Sequence, residues 1–286
     1  MKYYFKIAGI KLLIESDIEI DWNNYIKEFL TEKFDKYDEY YKCILADNLD
    51  EHSGEILYED DTLVVINDGE SEIRKHFFIG QAEPCMIYVE KEGSKVIYLN
   101  KKYLESFKAN DNYCIFNALA FEKVLMKHDA VVLHCSYIIH NNDAILFTAP
   151  SGTGKSTQAN LWSEFKNATI VNGDRAIIKK IDGKYYACGM PICGSSDICL
   201  NEKAPIRAII YLNQSPQNFI EEVGINEKTK KLISEITINF FNNRYVNIAL
   251  DIIFDIACNV DMYFFGCTKE GDAVEFLDKM IGGENY

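Results

Sequence analysis

Residues 149 to 157 read Ala149-Pro150-Ser151-Gly152-Thr153-Gly154-Lys155-Ser156-Thr157 and carry the clearest chemistry in the chain. They follow the apolar run Ala144 to Thr148 and precede Gln158 to Trp162, which can continue as a helix. Backbone N–H groups of such a loop and the following helix N-terminus make a concave site of partial positive charge for phosphate oxygens. Gly152 and Gly154 let the chain curl close to the anion, Lys155 reaches the β- and γ-phosphates, and the Ser156 hydroxyl completes a magnesium shell. Thr153, Thr157 and Ser151 complete the set of loop residues expected to hold the nucleotide. Ala149 stands where the general pattern has its first glycine, a variant that limits how tightly the chain turns there. A chance glycine turn with a surface lysine would not need a strand before it and a helix after it.

A nucleotide site also needs an acid to hold the metal or accept a proton, commonly near the end of a neighbouring strand. Thr169-Ile170-Val171-Asn172-Gly173-Asp174 supplies one in Asp174, with Arg175 beside it to stabilise phosphate charge. The same residues also have the composition of a plain turn. His134, in the apolar run Val131 to Ser136, is either a satisfied core histidine or a general acid or base. His140, beside Asn141-Asn142-Asp143, reads as an exposed turn residue.

Together these residues resemble the bacterial HPr kinase/phosphorylase catalytic domain and its related kinases, which share a phosphoenolpyruvate carboxykinase-like fold. His134 precedes the loop much as that family's active-site histidine does. The Ser151 to Ser156 loop follows, and Asp174-Arg175 matches the end of the family's aspartate-aspartate-arginine segment. The resemblance covers about residues 130 to 190 and implies an ATP- and Mg²⁺-dependent phosphotransferase with His134, Lys155, Asp174 and Arg175 as catalytic residues. Gly173 stands where the family has its first aspartate, so Asp174 does both jobs or His134 is the base. The family's later glutamate-arginine-glycine segment has no counterpart in Gly189 to Ser196, which argues against HPr as the acceptor. Gly194-Ser195-Ser196 reads either as a second anion-binding turn or as an ordinary loop. Relatives in the family often assemble, so a homo-oligomer is one expectation.

These residues need a scaffold, and the apolar pattern suggests two parts. Residues 1 to 109 carry strand signals at Tyr3–Ile7, Leu12–Glu15, Tyr41–Leu45, Thr62–Ile66, Ile73–Ile79, Met86–Glu90 and Lys95–Leu99. They predict a β-rich, mostly antiparallel N-terminal domain with a structural or recognition role. From about Asn110 to 286 the pattern alternates. A helical stretch lies around Ile115 to Leu125 and a strand at Val131–Ile139; the loop is followed by a helix from Lys155 to Phe165 and a strand at Thr169–Val171. A hairpin then turns at Asp182-Gly183, followed by a strand at Ile206–Leu212, helices over Lys228–Asn242 and Val246–Cys258, a strand at Met262–Cys267 and a helix over Asp272–Met280. The alternation predicts an α/β fold (α+β overall), and the resemblance implies that the second part is a P-loop kinase domain of phosphoenolpyruvate carboxykinase-like type after the β-rich domain.

Composition narrows the alternatives. The net charge of −14 repels nucleic acid, and Lys228 to Lys231 read as the solvated face of an amphipathic helix. No run nears the roughly 18 apolar residues of a membrane span. Nine scattered cysteines without metal-ligand spacing disfavour disulfides and zinc, pointing to a reduced, cytoplasmic protein. The expectation is a kinase passing the γ-phosphate of ATP to a hydroxyl of a peptide, protein or small molecule. A nucleotide-binding sensor without transfer and an NTPase are the alternatives.

Overall fold

The computed structural model describes residues 1–49, 52–108 and 113–282. The chain divides into two compact units, Met1–Val124 and Leu125–Tyr286.

The first unit is built on β1 (Lys2–Ile7), β2 (Ile10–Ser16), the short helix α1 (Asn24–Lys27), β3 (Glu39–Ala46), β4 (Glu55–Glu59), β5 (Leu63–Asn67), β6 (Ser71–His76), β7 (Met86–Lys91) and β8 (Ser94–Asn100). The strands form one sheet in the order β1-β2-β3-β8-β7-β6-β5-β4. Its pairings are antiparallel except where β3 runs parallel to both β2 and β8. Helices α2 (Leu104–Lys108), α3 (Tyr113–Asn117) and α4 (Phe121–Lys127) follow. The helical stretch expected around Ile115 to Leu125 is thus broken in two. Ala120 adopts a left-handed φ of 50° between the pieces, which no continuous helix permits. Phe116 packs edge-on against Phe5 and Phe121, in the first unit's core.

The second unit starts from β9 (Ala130–His140) and β10 (Asp143–Thr148), turns through Asn141 and Asn142 at positive φ, and enters helix α5 (Lys155–Lys166). Next come β11 (Thr169–Asn172), β12 (Arg175–Ile181), β13 (Lys184–Cys188), β14 (Lys203–Gln214), β15 (Phe219–Glu222), helices α6 (Ile225–Glu235) and α7 (Asn243–Asn259), β16 (Met262–Cys267) and α8 (Asp272–Ile281). Asp182 and Gly183, both at positive φ, turn the expected hairpin of β12 and β13.

The second sheet is mixed, in the order β10-β9-β12-β13-β14-β16-β15, with β11 beside β9. Because β10 also pairs with β14, strands β10, β9, β12, β13 and β14 close a ring. Parallel pairing is confined to β10–β14 and β14–β16, so the chain is a mixed α+β protein. Side chains alternate across a strand, and the sheet is covered on both faces accordingly. Leu146, Ile209 and Met262 join Leu232, Ile253 and Ile256 of α6 and α7. Ile145, Phe147, Ile210 and Phe265 join Ala159, Trp162, Val274 and Leu277 of α5 and α8.

The helix expected over Lys228–Asn242 ends earlier, at Glu235. The next residues, Ile236-Thr237-Ile238, are β-branched and favour extended backbone. Ile236 bridges Leu133 of β9, and Thr237 N–H donates to the Val132 carbonyl at 2.9 Å. No helix among the described residues is long and apolar enough to cross a membrane.

Candidate functional site

Strand β10 delivers the loop and β9 fixes its neighbour. The Thr148 hydroxyl donates to the His134 carbonyl at 2.8 Å, tying the end of β10 to the strand that carries the histidine. Ala149 is fully buried in the core shared with Phe147, Ala159 and Trp162. That packing accounts for a methyl group at the pattern's first glycine position: the side chain points into the core instead of obstructing the loop. Gly152 at φ +79° and Gly154 at φ +121° make the reversal, and a side chain at either would be strained. Helix α5 begins directly after Gly154, so its first N–H groups face the loop's concavity.

Lys155 is only 8% exposed, and its Nζ donates to the Ala149 carbonyl at 2.9 Å. Burial pushes its pKa down, against the pull of Glu235 and Asp174. A desolvated ammonium held at the loop's rim is a group that gains from an arriving anion.

The acid comes from the turn between β11 and β12. Fully buried Asn172 accepts from the N–H groups of Asp174 and Arg175 with its Oδ1, both at 2.9 Å. Its Nδ2 donates to the carbonyls of Met190 at 3.0 Å and Ile192 at 2.9 Å. This one amide fixes both the acid turn and the segment leading to Gly194. Arg175 Nε donates to Asp174 Oδ2 at 2.9 Å. His134 Nε2 stands 3.6 Å from Asp174 Oδ1. His134, with Arg175 behind it, holds the Asp174 carboxyl below the usual range despite the opposing effect of burial.

One cleft of about 470 Å³ gathers the predicted residues His134, Ser151, Gly152, Gly154, Lys155, Ser156, Thr157 and Asp174. Thr153 lines a separate cleft on the loop's other side. Arg175 reaches the cleft only through its bond to Asp174. The Gly194–Ser196 segment forms a single 3-10 turn, and the Ser196 hydroxyl donates to the Cys193 carbonyl at 2.7 Å. That hydroxyl is engaged within its own turn, although Ser196 and Cys193 still line the cleft.

Sequence reasoning missed Glu235. Its Oε2 lies 3.4 Å from His134 Nδ1, and the residue is 8% exposed. The early end of α6 and the Ile236–Leu133 bridge bring it there. The available signal was a lone acid immediately before a β-branched run, which marks a helix stop. The imidazole therefore stands between two carboxylates, and Lys155 feels both of them.

No protein-family model matches the sequence, and no curated protein matches it. Among solved structures, the chain is similar to the Hpr(Ser) kinase/phosphatase from Coxiella burnetii, at 12% identity and a TM-score of 0.30. The match covers 53% of this chain and 93% of the other. At that score the likeness adds nothing to what the site's own geometry says.

Proposed function

We propose that the protein is an ATP- and Mg²⁺-dependent phosphotransferase that delivers the γ-phosphate to a hydroxyl of a peptide, protein or small molecule. The observation that carries this reading is that His134 and Asp174 line one cleft with Lys155 and Ser156, while Glu235 stands beside the imidazole's Nδ1. A nucleotide sensor needs the loop; an imidazole between two carboxylates beside it suits proton transfer.

The residues fit a magnesium nucleotide. The loop N–H groups and Lys155 would hold the phosphates, while the Ser156 hydroxyl and Asp174 would supply the few protein oxygens that Mg²⁺ takes. When bound, Mg-ATP supplies an electrophilic γ-phosphorus and an ADP leaving group. His134 Nε2, 3.6 Å from Asp174 Oδ1, lies on the wall of the cleft, where an acceptor hydroxyl can reach it. Glu235, on the Nδ1 side, orients the ring and stabilises the cation formed when Nε2 takes the acceptor's hydroxyl proton. The acceptor oxygen then forms its bond to phosphorus as the bond to the ADP oxygen breaks. Asp174, kept ionised, is the weaker base and the better metal ligand. Lys155 and the loop dipoles stabilise charge on the transferring group.

The test is transfer of label from γ-labelled ATP into a fractionated host extract, comparing wild type with Asp174→Asn. Label in one pool of metabolites, peptides or proteins, lost in the variant, supports the reading and names the acceptor class. ADP release at one rate with or without extract makes the protein an NTPase. Binding without turnover makes it a sensor.

A further inference from the structure

The phosphate loop has two sides, and the second side is also built. Pro150 and Thr153 form one wall of a separate cleft of about 430 Å³ against the C-terminal parts of β14 and β16. Its floor is aromatic: Tyr211 and Phe264 lie side by side, ring centroids 5.3 Å apart. Lys231 of α6 holds its Nζ 4.6 Å from the Tyr211 ring centroid and 5.7 Å from that of Phe264. Phe219 of β15, 38% exposed, forms another wall, and Asn213 stands at the rim. Both floor rings are only partly buried, so this edge of the core is left open.

The cleft is tied to the phosphate loop. Gln214, the last residue of β14, donates its side-chain amide to the carbonyls of Gly152 at 3.4 Å and Thr153 at 3.2 Å. The strand that carries Tyr211 and Asn213 thereby also fixes the loop.

We propose that this cleft takes the base of the nucleotide whose phosphates lie on the loop's other side. The inference rests on the nucleotide reading above and deepens it: the donor is a nucleoside triphosphate, not pyrophosphate or another inorganic polyphosphate. The exposed ring of Phe219 and the open edges of Tyr211 and Phe264 offer flat apolar surface to a heterocycle, and the Lys231 ammonium over that pair attracts the electron-rich face of a base. The Asn213 amide, which can donate and accept at once, is suited to a base edge. A peptide or lipid chain would have no need of a floor locked to the phosphate loop through Gln214.

The test compares binding of Mg-ATP and Mg-tripolyphosphate by calorimetry. Wild type is expected to bind Mg-ATP at least about tenfold more tightly. Phe264→Leu, which keeps an apolar side chain in the packing, and Lys231→Met on the helix surface should together abolish that preference while leaving tripolyphosphate affinity unchanged. Equal affinities in wild type, or a preference that survives the paired substitution, would overturn the base site alone. In either case loss of tripolyphosphate binding in Lys155→Ala leaves the phosphate site standing. Failure of wild type to bind either ligand would overturn the nucleotide reading and the base site with it. Thermal unfolding of the paired variant at the wild-type midpoint separates lost stacking from lost folding.

Discussion

Gly173 and Ser196 occupy one space: a β-carbon on Gly173 would stand 2.3 Å from Ser196 Cβ and 2.5 Å from its Oγ. The position where the family resemblance expects a first aspartate is therefore closed to any side chain. The segment that carries Ser196 lies over it, held by the bonds from Asn172 to Met190 and Ile192. A single carboxylate, Asp174, is left on this turn, and Gly194 packs directly against it.

Gly173→Ala should destabilise the protein by about 1–3 kcal/mol, the usual cost of overpacking. Adding Ser196→Gly should recover part of the loss, since it removes the atoms in conflict. Urea unfolding of the two single variants and the double variant checks this. An unchanged midpoint for Gly173→Ala would show that Ser196 does not fill the space.

Glu235→Gln keeps the side chain's size and removes its charge beside His134 Nδ1. The rate of label transfer should fall about 10- to 100-fold, within the range for assisted proton transfer, while the KM for Mg-ATP stays within about twofold. A parallel loss in both quantities would make Glu235 a structural support of the loop instead.

Lys155 has its pKa lowered, chiefly by burial. Bound phosphate supplies the opposite charge and raises that pKa again. Between the two values the free protein carries fewer protons than the complex, so binding takes up protons, and uptake grows as alkaline pH approaches the free value. Calorimetry of Mg-ATP binding from neutral pH up to the ordinary lysine value of 10.5, in buffers of different ionisation heat, reads this directly. No uptake anywhere in that range would mean that Lys155 does not meet the phosphates.

His76, at the end of β6, has an enclosed Nε2 with no hydrogen-bond partner among the described residues. Burial, with Arg74 nearby, lowers its pKa to about 4 from 6.5. As pH falls through that window the unfolded chain takes a proton that the folded chain refuses, so stability drops by about 3 kcal/mol in all. His76→Gln should flatten the stability profile between those limits relative to wild type. Identical profiles would contradict an enclosed neutral ring.

Much of the site was legible because its parts are local. The loop, Asp174 and His134 each lie within or directly beside a strand whose apolar pattern is plain, and the register of β9 with β12 sets His134 opposite Arg175. Glu235 was not legible, because its place depends on where α6 stops. That end is decided by the pairing of Ile236 with Leu133, a contact over about a hundred residues of chain. The closure of β10 on β14 was hidden for the same reason, since strand spacing shows which segments are strands but not which neighbours they choose. Gly173 could be read only as a missing acid; its cause lies in Ser196, brought close by the Asn172 network.

The most direct measurement is a crystal structure with Mg²⁺ and a non-hydrolysable ATP analogue. The account predicts the phosphates on the loop from Gly152 to Thr157, Lys155 Nζ released from the Ala149 carbonyl onto a phosphate oxygen, and the terminal phosphate facing His134 and Asp174. Phosphates bound elsewhere, or Lys155 still bonded to Ala149 with the analogue in place, would contradict it.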